Sequence, residues 1–176
     1  NEGIISTLTN SGTIKGTGGT LSHGLYNKDK GTITSLTNDS TGIISSKQSK
    51  GLYNAGTITT LTNSGTIKGT GVTNSEGLYN SGTITLLTND LGAVISSNKT
   101  HGLYNTATIN RLYNEGTISS EGTISSTSKN GLYNDSSSTI VDLENTGTIS
   151  SSSSHAMVNT GRIIDINNTL TISGAS

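Results

Sequence analysis

The sequence predicts an all-β fold, a right-handed, three-sided parallel β-helix (β-solenoid) of about seven coils of about 25 residues, and three observations predict it. One cassette, Gly51-Leu52-Tyr53-Asn54-Ala55-Gly56-Thr57-Ile58-Thr59-Thr60-Leu61-Thr62-Asn63-Ser64-Gly65-Thr66-Ile67, recurs with small changes from one end of the chain to the other. Its apolar and Asn positions stay in register through every copy. Length changes collect in one stretch, before each Gly-Leu-Tyr-Asn, and variable insertions at one corner of a fixed coil mark a solenoid.

The first element of each coil carries Ile5, Ile33, Ile58, Ile84, Ile109, Ile140 and Ile163, with Leu8, Leu36, Leu61, Leu87, Leu112, Leu143 and Ile166 three residues on. Thr-Ile-Thr alternates with the two-residue period of a strand, and β-branched residues suit a pleated surface. Asn10, Asn38, Asn63, Asn89, Asn114, Asn145 and Asn168 end this element, and Asn-x-Gly is a turn signal because Asn and Gly tolerate positive φ. A short Thr-Ile strand follows. The variable stretch comes next (Ser46 to Lys50, Thr70 to Glu76, Ser97 to His101, Ser120 to Asn130). The last element begins at Leu25, Leu52, Leu78, Leu103, Leu132 or Met157 and ends two residues later at Asn27, Asn54, Asn80, Asn105, Asn134 or Asn159.

Stacked coils pair strand on strand, parallel and about 4.8 Å apart, and parallel crossovers are right-handed. Leu52, Ile58, Leu61 and Ile67 then point inward into a narrow aliphatic core. The two Asn series face inward at two fixed corners, each side-chain amide bonding the next. Asn10, Asn38, Asn63, Asn89, Asn114 and Asn145 form one structural ladder, and Asn27, Asn54, Asn80, Asn105, Asn134 and Asn159 the other.

Composition narrows the function. The chain lacks Phe, Trp, Cys and Pro and is 28% hydrophobic, a level at which disorder would be expected if the apolar residues were not so regularly placed. Its net charge of −1 and scattered basic residues give no footprint for nucleic acid or for an acidic membrane. No apolar run is long enough to insert this segment into a bilayer. The chain opens at Asn1 without Met or a signal peptide, so residues 1–176 read as a single solenoid segment of a longer protein.

At this point Asn63-Ser64-Gly65-Thr66-Ile67 and Asn80-Ser81-Gly82-Thr83-Ile84 resemble the Asn-x-Gly-Thr-Ile repeats of bacterial autotransporter passenger domains and filamentous-haemagglutinin-type adhesins. The resemblance covers essentially the whole chain. It implies an extracellular, surface-displayed β-helix, an adhesin or its stalk, although that family's carboxy-terminal membrane barrel has no counterpart here. The partner implied is a protein or glycan on a cell surface, or a second copy of the chain.

Tyr26, Tyr53, Tyr79, Tyr104 and Tyr133, followed by Val158, lie between inward Leu and Asn and so turn outward as an aromatic stripe, the candidate contact surface. The competing reading is ring-on-ring stacking that merely stabilises the coils. Thr32, Thr34, Thr57, Thr59, Thr83 and Thr85 form a second candidate, a two-file Thr face like that of some ice-binding solenoids, continued by Thr108 and broken at Asn110 and Arg162. A plain spacer or filament subunit is the third reading.

No enzyme is expected. Asp142 and Asp165 share a column, but no further acids converge on them, and Arg111 and Arg162 are at hand to neutralise them. His23, His101 and His155 share one corner position with Lys50, Glu76 and Asn130, which reads as a solvated corner and not a metal site. Gly16-Thr17-Gly18-Gly19 lacks the lysine of a phosphate loop, no calcium nonapeptide occurs, and no Ser-His-Asp set can be placed. No catalytic residue, metal or cofactor is therefore assigned. Asn-x-Ser/Thr sequons begin at Asn38, Asn98, Asn134 and Asn167, and two of these belong to the ladders, where a glycan would conflict with burial.

Overall fold

The computed structural model describes residues 1–19, 21–120 and 129–175. Three parallel sheets run the length of the molecule, and no helix occurs among these residues. The long sheet stacks Ile4–Asn10, Thr32–Asn38, Thr57–Asn63, Thr83–Asn89, Thr108–Asn114, Thr139–Asn145 and Arg162–Asn168. The second stacks Thr13–Gly16, Ile43–Ser46, Thr66–Gly69, Val94–Ser97, Thr117–Ser120, Thr148–Ser151 and Thr171–Ser173. Six three-residue strands make the third: Leu25–Asn27, Leu52–Asn54, Leu78–Asn80, Leu103–Asn105, Leu132–Asn134 and Met157–Asn159. The seven copies of the cassette thus close about six turns, because the first and last coils are incomplete.

Register follows the sequence columns. Ile58 pairs Ile33 and Ile84, Leu61 pairs Leu36 and Leu87, and Asn63 pairs Asn38 and Asn89. Ile67 pairs Ile44 and Ile95, while Leu52 pairs Leu25 and Leu78. Leu52, Ile58, Leu61 and Ile67 are fully buried, as are their equivalents in the interior coils. Identical aliphatic side chains stack on one another here, so each coil is covered above and below by its own neighbours and no aromatic residue is needed. In the long strands the alternation slips once, at Thr59 and Thr60, where two successive side chains face out before Leu61 turns in. The outer face of the long sheet is thereby divided into two strips.

The expectation that length changes fall in one place is corrected. Ile140 pairs Ile163 across the shortest turn, in which each Asn is followed by two residues before the next strand. After Asn27, Asn38, Asn89 and Asn134 four residues intervene. Each wider turn is closed by its own backbone bond: Gly31 N to Lys28 O, Gly42 N to Asp39 O, Ala93 N to Asp90 O and Ser138 N to Asp135 O. Gly92 sits at the third position of such a turn with φ of 82°, the left-handed conformation that a glycine takes without strain. Wider turns bulge away from the axis and leave the Asn in place. The sequence signal, Lys28-Asp29-Lys30-Gly31 against Ala55-Gly56, was visible but lay beside an unchanged Asn column.

Candidate functional site

Both Asn corners are closed ladders. Asn27 Nδ2 donates to Asn54 Oδ1 at 2.8 Å, Asn54 to Asn80, Asn80 to Asn105, Asn105 to Asn134 and Asn134 to Asn159. The other runs from Asn10 through Asn38, Asn63, Asn89, Asn114 and Asn145 to Asn168. Each amide also donates to backbone carbonyls, so Asn54 reaches Gly56 O at 3.2 Å and Thr83 O at 3.1 Å. The interior members are fully buried, and every donor points toward the carboxy-terminal coil. Asn38 and Asn134, the two ladder sequons, are thus sealed from solvent.

The third corner has a side-chain column of its own that the sequence reading missed. Gly16, Ser46, Gly69, Ser97, Ser120 and Ser151 share one column. Ser46 Oγ donates to Ser22 O of the preceding loop at 2.6 Å and accepts the amide of Ser49 at 2.8 Å. Ser97 does the same with Ser75 O and the Thr100 amide, and Ser151 with Lys129 O and the Ser154 amide. Gly occupies the column where the following loop is long, residues 17–24 and 70–77. There the loop folds its own carbonyl over the glycine: a Cβ at Gly16 would lie 2.0 Å from Ser22 O, and one at Gly69 1.9 Å from Ser75 O. Ser stands before the short loops, 47–51, 98–102 and 152–156, and also, as Ser120, before the longest one, 121–131. Gly stands where the loop's own carbonyl covers the column, and loop length alone does not choose between Gly and Ser.

Beside this corner runs the predicted Tyr stripe, half-exposed and in register. Tyr26 and Tyr53 stack nearly parallel, centroids 4.5 Å apart. From Tyr53 onward the rings tilt against one another by 48° to 59° at 5.0 to 5.2 Å. At three of the coils the residue before Gly-Leu leans over the column. His23 meets Tyr26 and Tyr53 edge-on, His101 stacks on Tyr133 and meets Tyr104 edge-on, and Lys50 Nζ stands 5.2 Å from the Tyr79 ring centre.

The expectation of a solvated corner at these residues is therefore overturned for the interior coils. Glu76 is 5% exposed, His101 8% and Asn130 2%, whereas His155 is exposed. Folded loop and tyrosine ring together shield them. Burial pushes the His101 imidazole down to about 4, so its Nδ1 is unprotonated and accepts the Asn130 amide at 3.1 Å. Burial also lowers His23, with Lys50 adding to the effect, and raises the Glu76 carboxyl above the usual carboxylate range despite nearby Lys50. Tyr104 is pushed up to about 12, by burial first and then by the charge of Asp135. Among the described residues no group of three or more His, Cys, Asp or Glu is placed to hold a metal ion.

Thr32, Thr57, Thr83, Thr108 and Thr139 form one unbroken outward file, ended by Arg162. Thr34, Thr59 and Thr85 are exposed beside it. A further file, Thr9, Thr37, Thr62 and Thr88, lies across the slip in alternation and gives way to Tyr113, Glu144 and Asn167. Asp142 and Asp165 do share a column, and Arg111 Nε donates to Asp142 Oδ2 at 3.0 Å. Comparison with protein-family models, with curated proteins and with solved structures gives no match.

Proposed function

We propose that this chain is an adhesive segment of an extracellular, surface-displayed bacterial solenoid, a stiff rod that attaches to a protein or glycan on another cell or to a second copy of itself. The observation that carries this reading is the column of five half-exposed tyrosines, Tyr26 to Tyr133, lying against the most variable corner of an otherwise repetitive molecule. Aromatic rings held rigid by their neighbours offer contact area at little entropic cost. Corner loops of different length beside them vary the surface from coil to coil. The resemblance of the Asn-x-Gly-Thr-Ile repeats to surface adhesins supports the same reading.

Beads coated with the chain test it. Attachment to cells is expected, with loss on Tyr53→Ser plus Tyr79→Ser while the far-ultraviolet spectrum and melting temperature stay near wild type. Equal attachment by the double variant would instead support a spacer.

The unbroken Thr file favours a second reading, an ice-binding face. Thr57→Tyr plus Thr83→Tyr is then expected to abolish the shaping of ice crystals, and unshaped crystals around the wild-type chain would exclude it.

A further inference from the structure

The tyrosine column is not uniform, and its middle differs from its amino-terminal end. Tyr26 and Tyr53 cover each other's faces, only 6° from parallel. Tyr79 is tilted 48° from Tyr53 and 59° from Tyr104, so ring surface opens between the coils. A groove of about 250 Å³ lies at this place, lined by Lys50, Tyr53, Asn74, Glu76, Tyr79 and Tyr104. One wall is the loop of residues 70–77, in which Asn74 takes a φ of 49°, a left-handed conformation that Asn tolerates better than most side chains.

The polar groups of this groove are unusually placed. Glu76 is a carboxylate residue 5% exposed, and its Oε2 has no hydrogen-bond partner. Lys50 Nζ forms an ion pair with this oxygen at 3.7 Å, beyond hydrogen-bond distance, and the Thr100 side chain also bonds the carboxylate. An ion-paired carboxylate oxygen with no hydrogen bond of its own still has room for a donor. Hydroxyl groups suit the pair, since a hydroxyl donates its proton to a carboxylate and accepts one from an ammonium through its lone pairs. A ligand with adjacent hydroxyls and an apolar face would use Glu76, Lys50 and the tilted rings together. With one positive and one negative group facing the groove, nothing selects a charged ligand.

Resting on the adhesive reading above, and giving it a partner class, we propose that this groove is a glycan subsite that takes one neutral pyranose. The sugar's C–H face lies against Tyr79 and Tyr104, and two vicinal hydroxyls engage Glu76 and Lys50. Asn74 reaches the ring from the loop side. Coils one turn away lack the set: His23 and His101 replace the Lys–Glu neighbours beside their tyrosines. One subsite in the described residues, and not one per coil, follows from that.

Saturation-transfer NMR with the methyl glycosides of glucose, galactose and mannose, together with tetramethylammonium as a cation probe, tests the assignment on the intact chain. At least one hexoside is expected to receive saturation at its ring C–H protons, and Glu76→Gln to weaken it at least about tenfold. Asn74→Gly, at an exposed loop tip, is expected to weaken it several-fold without affecting the fold. Silence from all three hexosides, or unchanged binding in both variants, overturns the subsite. Tetramethylammonium binding at Tyr79 and Tyr104 in place of hexosides overturns it in favour of a cationic protein group. Bead attachment separates this claim from the adhesive one. Tyrosine-dependent attachment that excess hexoside leaves unchanged removes the subsite alone, whereas hexoside binding without attachment removes adhesion alone.

Discussion

The two Asn corners and the Ser/Gly corner solve one problem, the burial of a chain reversal, with different side chains, and the contrast separates framework from surface. An amide is both donor and acceptor, so Asn54 takes the hydrogen bond from Asn27 and passes one on to Asn80, and the column is continuous from coil to coil. A hydroxyl has one proton. Ser97 spends it on Ser75 O and uses its lone pairs on the Thr100 amide, so each serine closes one loop and never bonds the next serine. Asn therefore ties coils in register, whereas Ser and Gly permit loops of different length. The half-exposed tyrosines and the buried titratable residues lie along the permissive corner.

Breaking a ladder amide should cost most. Asn80→Ala removes a donor to Asn105, Gly82 and Thr108 and the acceptor of Asn54, and a loss of about 3–5 kcal/mol is expected in urea unfolding. Acid should act chiefly at the third corner, where burial holds both His101 and His23 below the ordinary imidazole value. His101 is held neutral to about 4 against an ordinary value of 6.5, so the unfolded chain binds the extra proton between those values. Stability is accordingly expected to fall as pH drops from about 6.5 to about 4, by on the order of 2–3 kcal/mol. Glu76, with its carboxyl raised, works in the opposite direction over part of that window. His101→Phe should flatten the fall, as read from melting temperature against pH.

Gly69→Ala drives a Cβ into the Ser75 carbonyl and is expected to cost about 2 kcal/mol. Ser97→Ala leaves the Ser75 carbonyl and the Thr100 amide without that hydroxyl, a smaller loss of about 1–2 kcal/mol. Three residues inserted into 98–102 together with Ser97→Gly recreate the long-loop arrangement, at a cost below about 1 kcal/mol. The same insertion between Asn54 and Thr57 is expected to cost several times more, since turns of only two and four residues occur there among the described coils. Equal costs at the two corners would erase the contrast.

Ladder and core were legible because their chemistry leaves few options. Ile58 and Asn54 recur at fixed spacing, and a buried amide without a partner would be costly. Ser97 and Gly69 hid in a chain rich in both residue types, and only the strand register brings them into one column. His101 and Glu76 looked solvated because their position holds His, Lys, Glu or Asn in different coils. Their burial comes from loop folding, which no local pattern encodes. The tilt of Tyr79 was equally invisible, since the sequence places a ring outward without setting its angle.

Native-state hydrogen exchange followed by NMR is the measurement that tests the division of labour most directly. The amides of Ala55, Ser81 and Thr106, which bond Asn27, Asn54 and Asn80 carbonyls in the ladder corner, should exchange only through global unfolding. Those of Ser49 and Thr100, held by serine hydroxyls, should exchange faster, through local opening of a single loop. Equal protection at both sets of amides would contradict it, and the third corner would then be as much framework as the other two.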